Sequence, residues 1–255
     1  MYPQTPNQSV RGLNPHVSVD CVIFGFDFDR LNVLLIERDI HAPHKNNIPQ
    51  RRFALPGNLV DDNENLDESA RRVLRELTNL DDIYLEQFYA FGSPNRVQNE
   101  YDRHWLRTMR ADPDARVITI AYFSLVKLSD YHPSPSSWAR SAVWCPVEDI
   151  PDLAFDHNEI MDKAIVSLRN MLATRPIAFK LLPEKFTFGQ LQKVYEVVMG
   201  TTFDKRNFRR KITNMKILIP LEEKQQGVPH KPARLYRFDS DKYREMLTED
   251  LVFAV

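Results

Sequence analysis

Two groups of side chains in this sequence have the types and spacing to do chemistry. The first is DKRNFRRKITNM, Asp204–Met215, where Lys205, Arg206, Asn207, Arg209, Arg210 and Lys211 crowd one short segment. At helical spacing Phe208, Ile212 and Met215 share an inner face, which leaves the polar residues mainly outside. Arg and Asn near a helix start suit base edges in a major groove, because each can bond two positions at once. That chemistry assigns Arg206, Asn207 and Arg210 to bases and Lys205, Arg209 and Lys211 to phosphates. From Phe203 to Arg244 there are twelve Lys or Arg and five Asp or Glu, whereas the whole chain has a net charge of −1. A selectively basic end attracts the phosphate backbone and makes affinity fall with salt. A basic helix alone is more often a solvated face, so the elements around it decide.

The second group is mixed in sign: Glu64, Arg72 and Glu76 within LPGNLVDDNENLDESARRVLRELTNL (Leu55–Leu80), together with Arg116, Asp156 and His157. Arg, Asp and Glu supply the paired donors and acceptors that a sugar or nucleotide needs. A bland reading competes at each position. Arg72 and Glu76 stand at i, i+4 and can form a helical salt bridge. His157 can sit beside a helix start capped by Asp156. Pro94–Pro113 adds Arg96, Arg103, Arg107 and Arg110 among Tyr101, His104 and Trp105, without clear periodicity. It reads as a long loop, and such loops are more often functional or mobile than structural.

The elements that must position these groups fall into two blocks. In the first, Val17–Phe26 and Leu31–Glu37 read as a hairpin around Asp27–Arg30, and Ile83–Phe91, Arg116–Leu125 and Trp138–Val147 as further strands. Asn65–Leu77 reads as a helix with Leu66, Ala70, Val73, Leu74 and Leu77 inward and a capping box from Asn65 to Glu68. His157–Leu172 is a second helix, broken at Thr174–Pro176. In the second block, Thr187 and Gln190 open a helix to Met199, Gly200–Thr202 turns, and the basic helix follows. Strands Ile217–Leu221 and Ala233–Phe238 flank a loop, Glu222–Pro232, that carries Lys224, His230 and Lys231, with Arg234 and Arg237 beside it. Helix, turn, helix and hairpin is the order of a winged helix-turn-helix, with the loop as wing and Lys231 and Arg234 as supporting DNA contacts. The fold class is α+β, with a leader at 1–15, a first domain at 16–174 and a second at 175–255.

Cys21 and Cys145 lie in apolar runs with no CxxC pair, so neither a zinc site nor a disulfide framework is expected. The Pro-, Gln- and Asn-rich leader has no apolar core and reads as disordered rather than as a signal peptide. No apolar run approaches the ~20 residues needed to cross a bilayer. A cytoplasmic protein without membrane contact is expected.

Leu55–Leu80 resembles the Nudix box, G-x5-E-x7-R-E-U-x-E-E-x-G-U, where U is aliphatic. Aligned on Glu64, the first Gly falls on Asn58, Arg72 and Glu76 are kept, two helix carboxylates are Val73 and Leu77, and the last Gly is Asn79. The resemblance implies a Nudix-like α/β/α sandwich over roughly 16–172. Nudix hydrolases hold Mg²⁺ with these carboxylates, and Mg²⁺ demands hard oxygen ligands. Their loss implies no efficient diphosphohydrolase activity, no catalytic residues and no metal or other cofactor. A degenerate Nudix domain followed by a winged helix resembles the Nudix-related transcriptional regulators. The segments DCVIFGF, RVLRELT, AFG, RVITIAY, FDH, FTFGQLQKVY, DKRNFR and ARLYRF are most similar to the arabinose-responsive regulators of Bacteroidetes. His41–Arg52 and Pro94–Pro113 look longer than the corresponding loops.

The expected function is a ligand-responsive repressor of sugar utilisation genes. Its partners are double-stranded operator DNA, a second copy of itself and a small effector. The resemblance implies arabinose as that effector, with an ADP-ribose-like nucleotide as the alternative. Effector contacts are expected from Glu64, Arg72, Glu76, Arg116, Asp156 and His157. Two other readings stay open. One is an active Nudix diphosphohydrolase acting on ADP-ribose or a sugar nucleotide, its metal held by Glu100 and Asp102 or by Asp61 and Asp62. The other is an adaptor whose winged helix binds protein.

Overall fold

The computed structural model describes residues 12–38, 53–80, 83–97, 99–128, 139–229 and 231–248. By contacts the chain divides into two compact units: 1–23, 33–124 and 133–163 form one; 24–32, 125–132 and 164–255 form the other. The sequence boundary at 174/175 therefore differs from the contact boundary within the last helix of the first block. No helix among the described residues is long and apolar enough to cross a membrane.

The first block is a seven-stranded sheet with helices. Its elements are β1 (Leu13–Phe26), β2 (Leu31–Arg38), β3 (Phe53–Ala54), β4 (Gly57–Asp61), α1 (Leu66–Thr78), β5 (Glu86–Phe91), α2 (Glu100–Met109), β6 (Ile118–Lys127), β7 (Ala139–Pro146) and α3 (His157–Thr174). The sheet runs β3-β2-β1-β6-β5, with β4 paired to β1 and β7 to β2. Strand β1 begins at Leu13, inside the stretch expected as leader; residues 1–11 lie outside the described residues, as does the long segment His41–Arg52. Asp27 turns β1 into β2 by accepting from the backbone N–H of Asp29 and Arg30 at 2.9 and 2.7 Å. Helix α1 forms as its sequence dictates. Asn65 accepts from the Glu68 N–H, and Glu68 accepts from the Asn65 N–H, both at 2.9 Å. Ala70, Val73, Leu74 and Leu77 are buried on its inner face, worth about 1.5–3 kcal/mol for each larger side chain.

The expectation of a structureless Pro94–Pro113 does not hold. Helix α2 occupies its middle, capped by Asn99, which accepts from the Tyr101 N–H at 2.8 Å. A buried charge secures it. Asp102 meets Arg38 at 2.9 Å with both side chains 1% exposed, and its other oxygen accepts from the Phe155 N–H. The Arg38 guanidinium lies 5.1 Å from the Trp105 ring and 5.3 Å from that of Phe155.

The C-terminal elements are β8 (Phe186–Thr187), α4 (Phe188–Met199), α5 (Lys205–Asn214), β9 (Leu218–Lys224), β10 (Arg234–Phe238) and α6 (Ser240–Thr248), with a three-stranded sheet β8-β10-β9. Thr187 and Gln190 close the expected capping box. Gly200 ends α4 at φ 67°, a left-handed conformation open to glycine, and Arg169 donates to the Val198 carbonyl at 2.9 Å. Phe208 and Ile212 seat α5 in a core that includes Leu191, Val194 and Tyr195. Strand β9 runs to Lys224, three residues into the segment expected as wing, and His230 lies outside the described residues.

Candidate functional site

The six residues expected to share an effector site separate into two clusters. Glu64, Arg72 and Glu76 line a groove of about 640 Å³ with Asp61, Arg71 and Arg75. Arg72 is consumed there by the protein itself. Its Nε donates to both Glu64 oxygens at 2.8 Å, its Nη1 reaches Glu76 at 3.3 Å, and its Nη2 donates to the Leu59 carbonyl and Ser69 hydroxyl at 3.0 Å. This is the expected i, i+4 pair enlarged into a brace between the loop and α1. Val73 and Leu77 are 0% and 1% exposed, so the two positions without carboxylates are filled by core. Of the alternative metal ligands, Asp102 is bound to Arg38, and Asp61 is buried and accepts from the Asn63 N–H at 3.1 Å.

Arg116 and His157 line a different and larger cavity, of about 940 Å³, within the span of ligand pockets. His157 is a core histidine. It is 4% exposed, and its Nδ1 accepts from the Leu55 N–H at 2.9 Å. Burial pushes its pKa down to about 3 against a nearby Asp156, with Arg96 and Arg38 pushing the same way, so the ring is neutral. Asp156 grips Arg96, at 2.5 and 2.8 Å.

Four groups central to this cavity are not among the effector contacts expected from the sequence. Asp20 is the one acid of β1 and is 6% exposed. Burial raises its pKa, opposed by the charge of Arg96 and a hydrogen bond from Thr119. Gly57 opposes it across the β1–β4 pair, and a Cβ there would overlap the Asp20 carboxylate. Arg96 stands 3.7 Å from Asp20 and Arg110 is in electrostatic reach of both. Burial would lower the Arg96 pKa, but the bond to Asp156 and the charge of Asp20 raise it overall. Trp105 supplies an aromatic wall. The signal for Asp20 was present, as a lone acid directly before the apolar run Cys21–Phe26; Arg96, Trp105 and Arg110 were visible only as residue types.

On α5, Lys205, Arg206, Asn207, Arg210 and Lys211 are exposed, and their side chains make no hydrogen bond or ion pair with another described residue. Two other expected DNA contacts are engaged internally. Arg209 donates to the Tyr236 hydroxyl at 3.0 Å and lies 4.9 Å from the Phe188 ring. Arg234 bonds the Leu221 carbonyl and Glu222, both at 2.7 Å. Lys231 is exposed on the segment entering β10.

Comparison with known proteins bears on both sites. The NUDIX domain family model matches residues 14–165, and the NrtR DNA-binding winged helix domain matches residues 178–238. A protein of Acinetobacter baylyi described as an ADPR responsive transcriptional repressor NtrR is 32% identical over 237 residues, 90% of this chain and 84% of that one. The crystal structure of Shewanella oneidensis NrtR has a TM-score of 0.68 at 27% identity, covering 93% of this chain and 97% of that one. Its complex with a 27mer DNA scores 0.65 at 25% identity, covering 89% and 95%. An ADP-ribose pyrophosphatase of Methanocaldococcus jannaschii is 30% identical over 149 residues, 58% of this chain and 72% of that one.

Proposed function

The chain belongs to the family of Nudix-domain proteins that end in an NrtR DNA-binding winged helix, and from that premise we propose that it is a transcriptional repressor released from its operator by ADP-ribose. One observation carries the reading: the unpartnered basic face of α5 sits in a chain that shares 32% identity over 90% of its length with an ADPR responsive repressor. Arg206, Asn207 and Arg210 read base edges, and Lys205, Lys211 and Lys231 hold phosphates. The operator-binding part is 175–255 and the effector part 16–174.

The effector occupies the cavity of about 940 Å³ rather than the groove of the box helix. A free pentose would fill a small part of that volume, whereas a dinucleotide-sized ligand uses both the aromatic wall and the cations. Arabinose is therefore the lesser effector reading, and it is kept as an arm of the test. The brace around Arg72, with Val73 and Leu77 in the core, favours sensing over hydrolysis. The likeness to an ADP-ribose pyrophosphatase favours a residual hydrolase as second reading, and Mg²⁺-dependent phosphate release from ADP-ribose would support that instead.

Release works through geometry. Two copies pair through their effector domains and space two winged helices along DNA, a helical turn or a multiple apart. Ligand favours a pairing with the wrong spacing, a coupling of ~1–3 kcal/mol. The action is cytoplasmic. Fluorescence anisotropy on DNA from upstream of the gene, titrated with salt and then with ADP-ribose or arabinose, tests this. Salt-sensitive binding reversed by ADP-ribose is expected; binding no tighter than to random DNA would overturn it.

A further inference from the structure

The cavity wall holds more arginines than its carboxylates use. Arg96 is committed to Asp156 and stands near Asp20; Arg103 donates to the Val97 carbonyl at 3.1 Å and Arg116 to the Gly92 carbonyl at 2.8 Å. Arg110 differs. It lines the cavity, yet its guanidinium makes no hydrogen bond or ion pair with another described residue. Its surroundings are costly for a lone cation: burial lowers its pKa, the charge of Asp20 opposes that, and Arg96 adds to it. Arg110 is half-buried in the cavity wall with no ion-pair partner among the described residues, so its guanidinium is open to an anionic group that enters the cavity.

Its position is also fixed beforehand. Arg110 is the C-cap of α2, and its backbone N–H donates to the Leu106 carbonyl at 2.8 Å. One turn or two back, Leu106 is 1% exposed and Asp102 is locked to Arg38 between Trp105 and Phe155. The helix cannot slide without breaking that buried pair. The negative end of the helix dipole favours a cation at this place. The backbone that carries Arg110 is therefore held in place, and its guanidinium, in electrostatic reach of Asp20, offers five donors in a planar fork that matches phosphate oxygens.

We propose that Arg110 is the phosphate-receiving residue of the cavity, taking the diphosphate of the effector in a charge-assisted, two-pronged contact while Arg96 stays with Asp156. This rests on the reading of the cavity as the effector site and narrows it to ligands that carry a phosphate or diphosphate group. It also explains why α2 is anchored so firmly, since that helix holds a cavity arginine with no partner among the described residues.

Isothermal titration of ADP-ribose, inorganic pyrophosphate and adenosine into the full-length wild type, Arg110→Met and Arg110→Lys tests it. Arg110→Met should weaken ADP-ribose about ten- to hundredfold, the range for a hydrogen bond to a charged group. It should abolish pyrophosphate binding and leave adenosine within about twofold, and Arg110→Lys should recover part of the loss by charge alone. A melting curve close to that of the wild type shows that each variant is folded. ADP-ribose bound equally by wild type and Arg110→Met would overturn the assignment and leave the effector reading standing. Pyrophosphate bound in an Arg110-dependent way, with ADP-ribose unbound by the wild type, would keep the subsite and remove ADP-ribose as effector. Neither ligand bound by the wild type would overturn both.

Discussion

Helices α1 and α5 are both amphipathic, both capped, and both carry arginines on the polar face, yet they have opposite fates. On α1, Arg72 donates to Glu64, Glu76, Leu59 and Ser69, so its charge is already met within the protein. On α5, Arg206 and Arg210 are exposed without an intramolecular bond to another described residue, so the helix is open to a partner. Residue type is the same in both places; whether the charge already has an acceptor decides what it is for.

The comparison breaks most visibly on α5. Replacing Lys205, Arg206, Arg210 and Lys211 together by Ala should lower operator affinity at least about a hundredfold and flatten its salt dependence, by about 0.9 in log–log slope per lost phosphate contact. Arg206→Ala or Arg210→Ala alone should cost about 1–3 kcal/mol and relax preference at one base position, read by anisotropy on point-substituted duplexes. The matching change on α1 should act on stability instead. Arg72→Met strands two carboxylates and should cost about 2 kcal/mol in chemical unfolding.

The cavity adds a pH arm. His157 is neutral when folded, with its pKa down at about 3 against the ordinary 6.5. Below 6.5 the unfolded chain takes up a proton that the folded chain refuses, so stability falls as pH drops from 6.5 toward 3. At pH 5.5 the loss should be about 1 kcal/mol relative to neutral pH. Asp20, raised by burial, has the opposite sign, so the difference between wild type and His157→Gln isolates the histidine. A variant with the same pH slope as the wild type would refute the assignment. The smallest effect sharpens the contrast within α5. Arg209 braces α5 against Tyr236 and Phe188, so Arg209→Met should cut the ratio of operator to random binding about two- to fivefold with the salt slope unchanged.

Much of this was legible in the sequence, and the gaps share a cause. Helices α1, α4 and α5 announce themselves by periodicity and by caps at Asn65, Thr187 and Asp204, which are local signals. The order of helices and hairpin likewise places the winged helix. Helix α2 went unread because its anchor is a buried acid, Asp102, whose partner Arg38 lies 64 positions away in sequence and reads as surface charge. Asn99 before an acidic first turn was the one local hint. The expected effector contacts rest on side-chain chemistry, but a cavity is assembled by tertiary contact: Asp20, Arg96 and Arg110 come together only once β1, the loop before α2 and the end of α2 are in place. The internal bonds of Arg209 and Arg234 were hidden for the same reason, since periodicity shows which face a residue takes and not which neighbour it finds there.

The central claim, that one small ligand and one operator compete through this chain, is tested most directly by reciprocity. Titration calorimetry of ADP-ribose should be run on the free protein and on the protein saturated with operator. The expected result is weaker ADP-ribose binding on DNA, by about 5–150-fold and by the same factor with which ADP-ribose weakens operator binding. Equal ADP-ribose affinity with and without operator would contradict the claim.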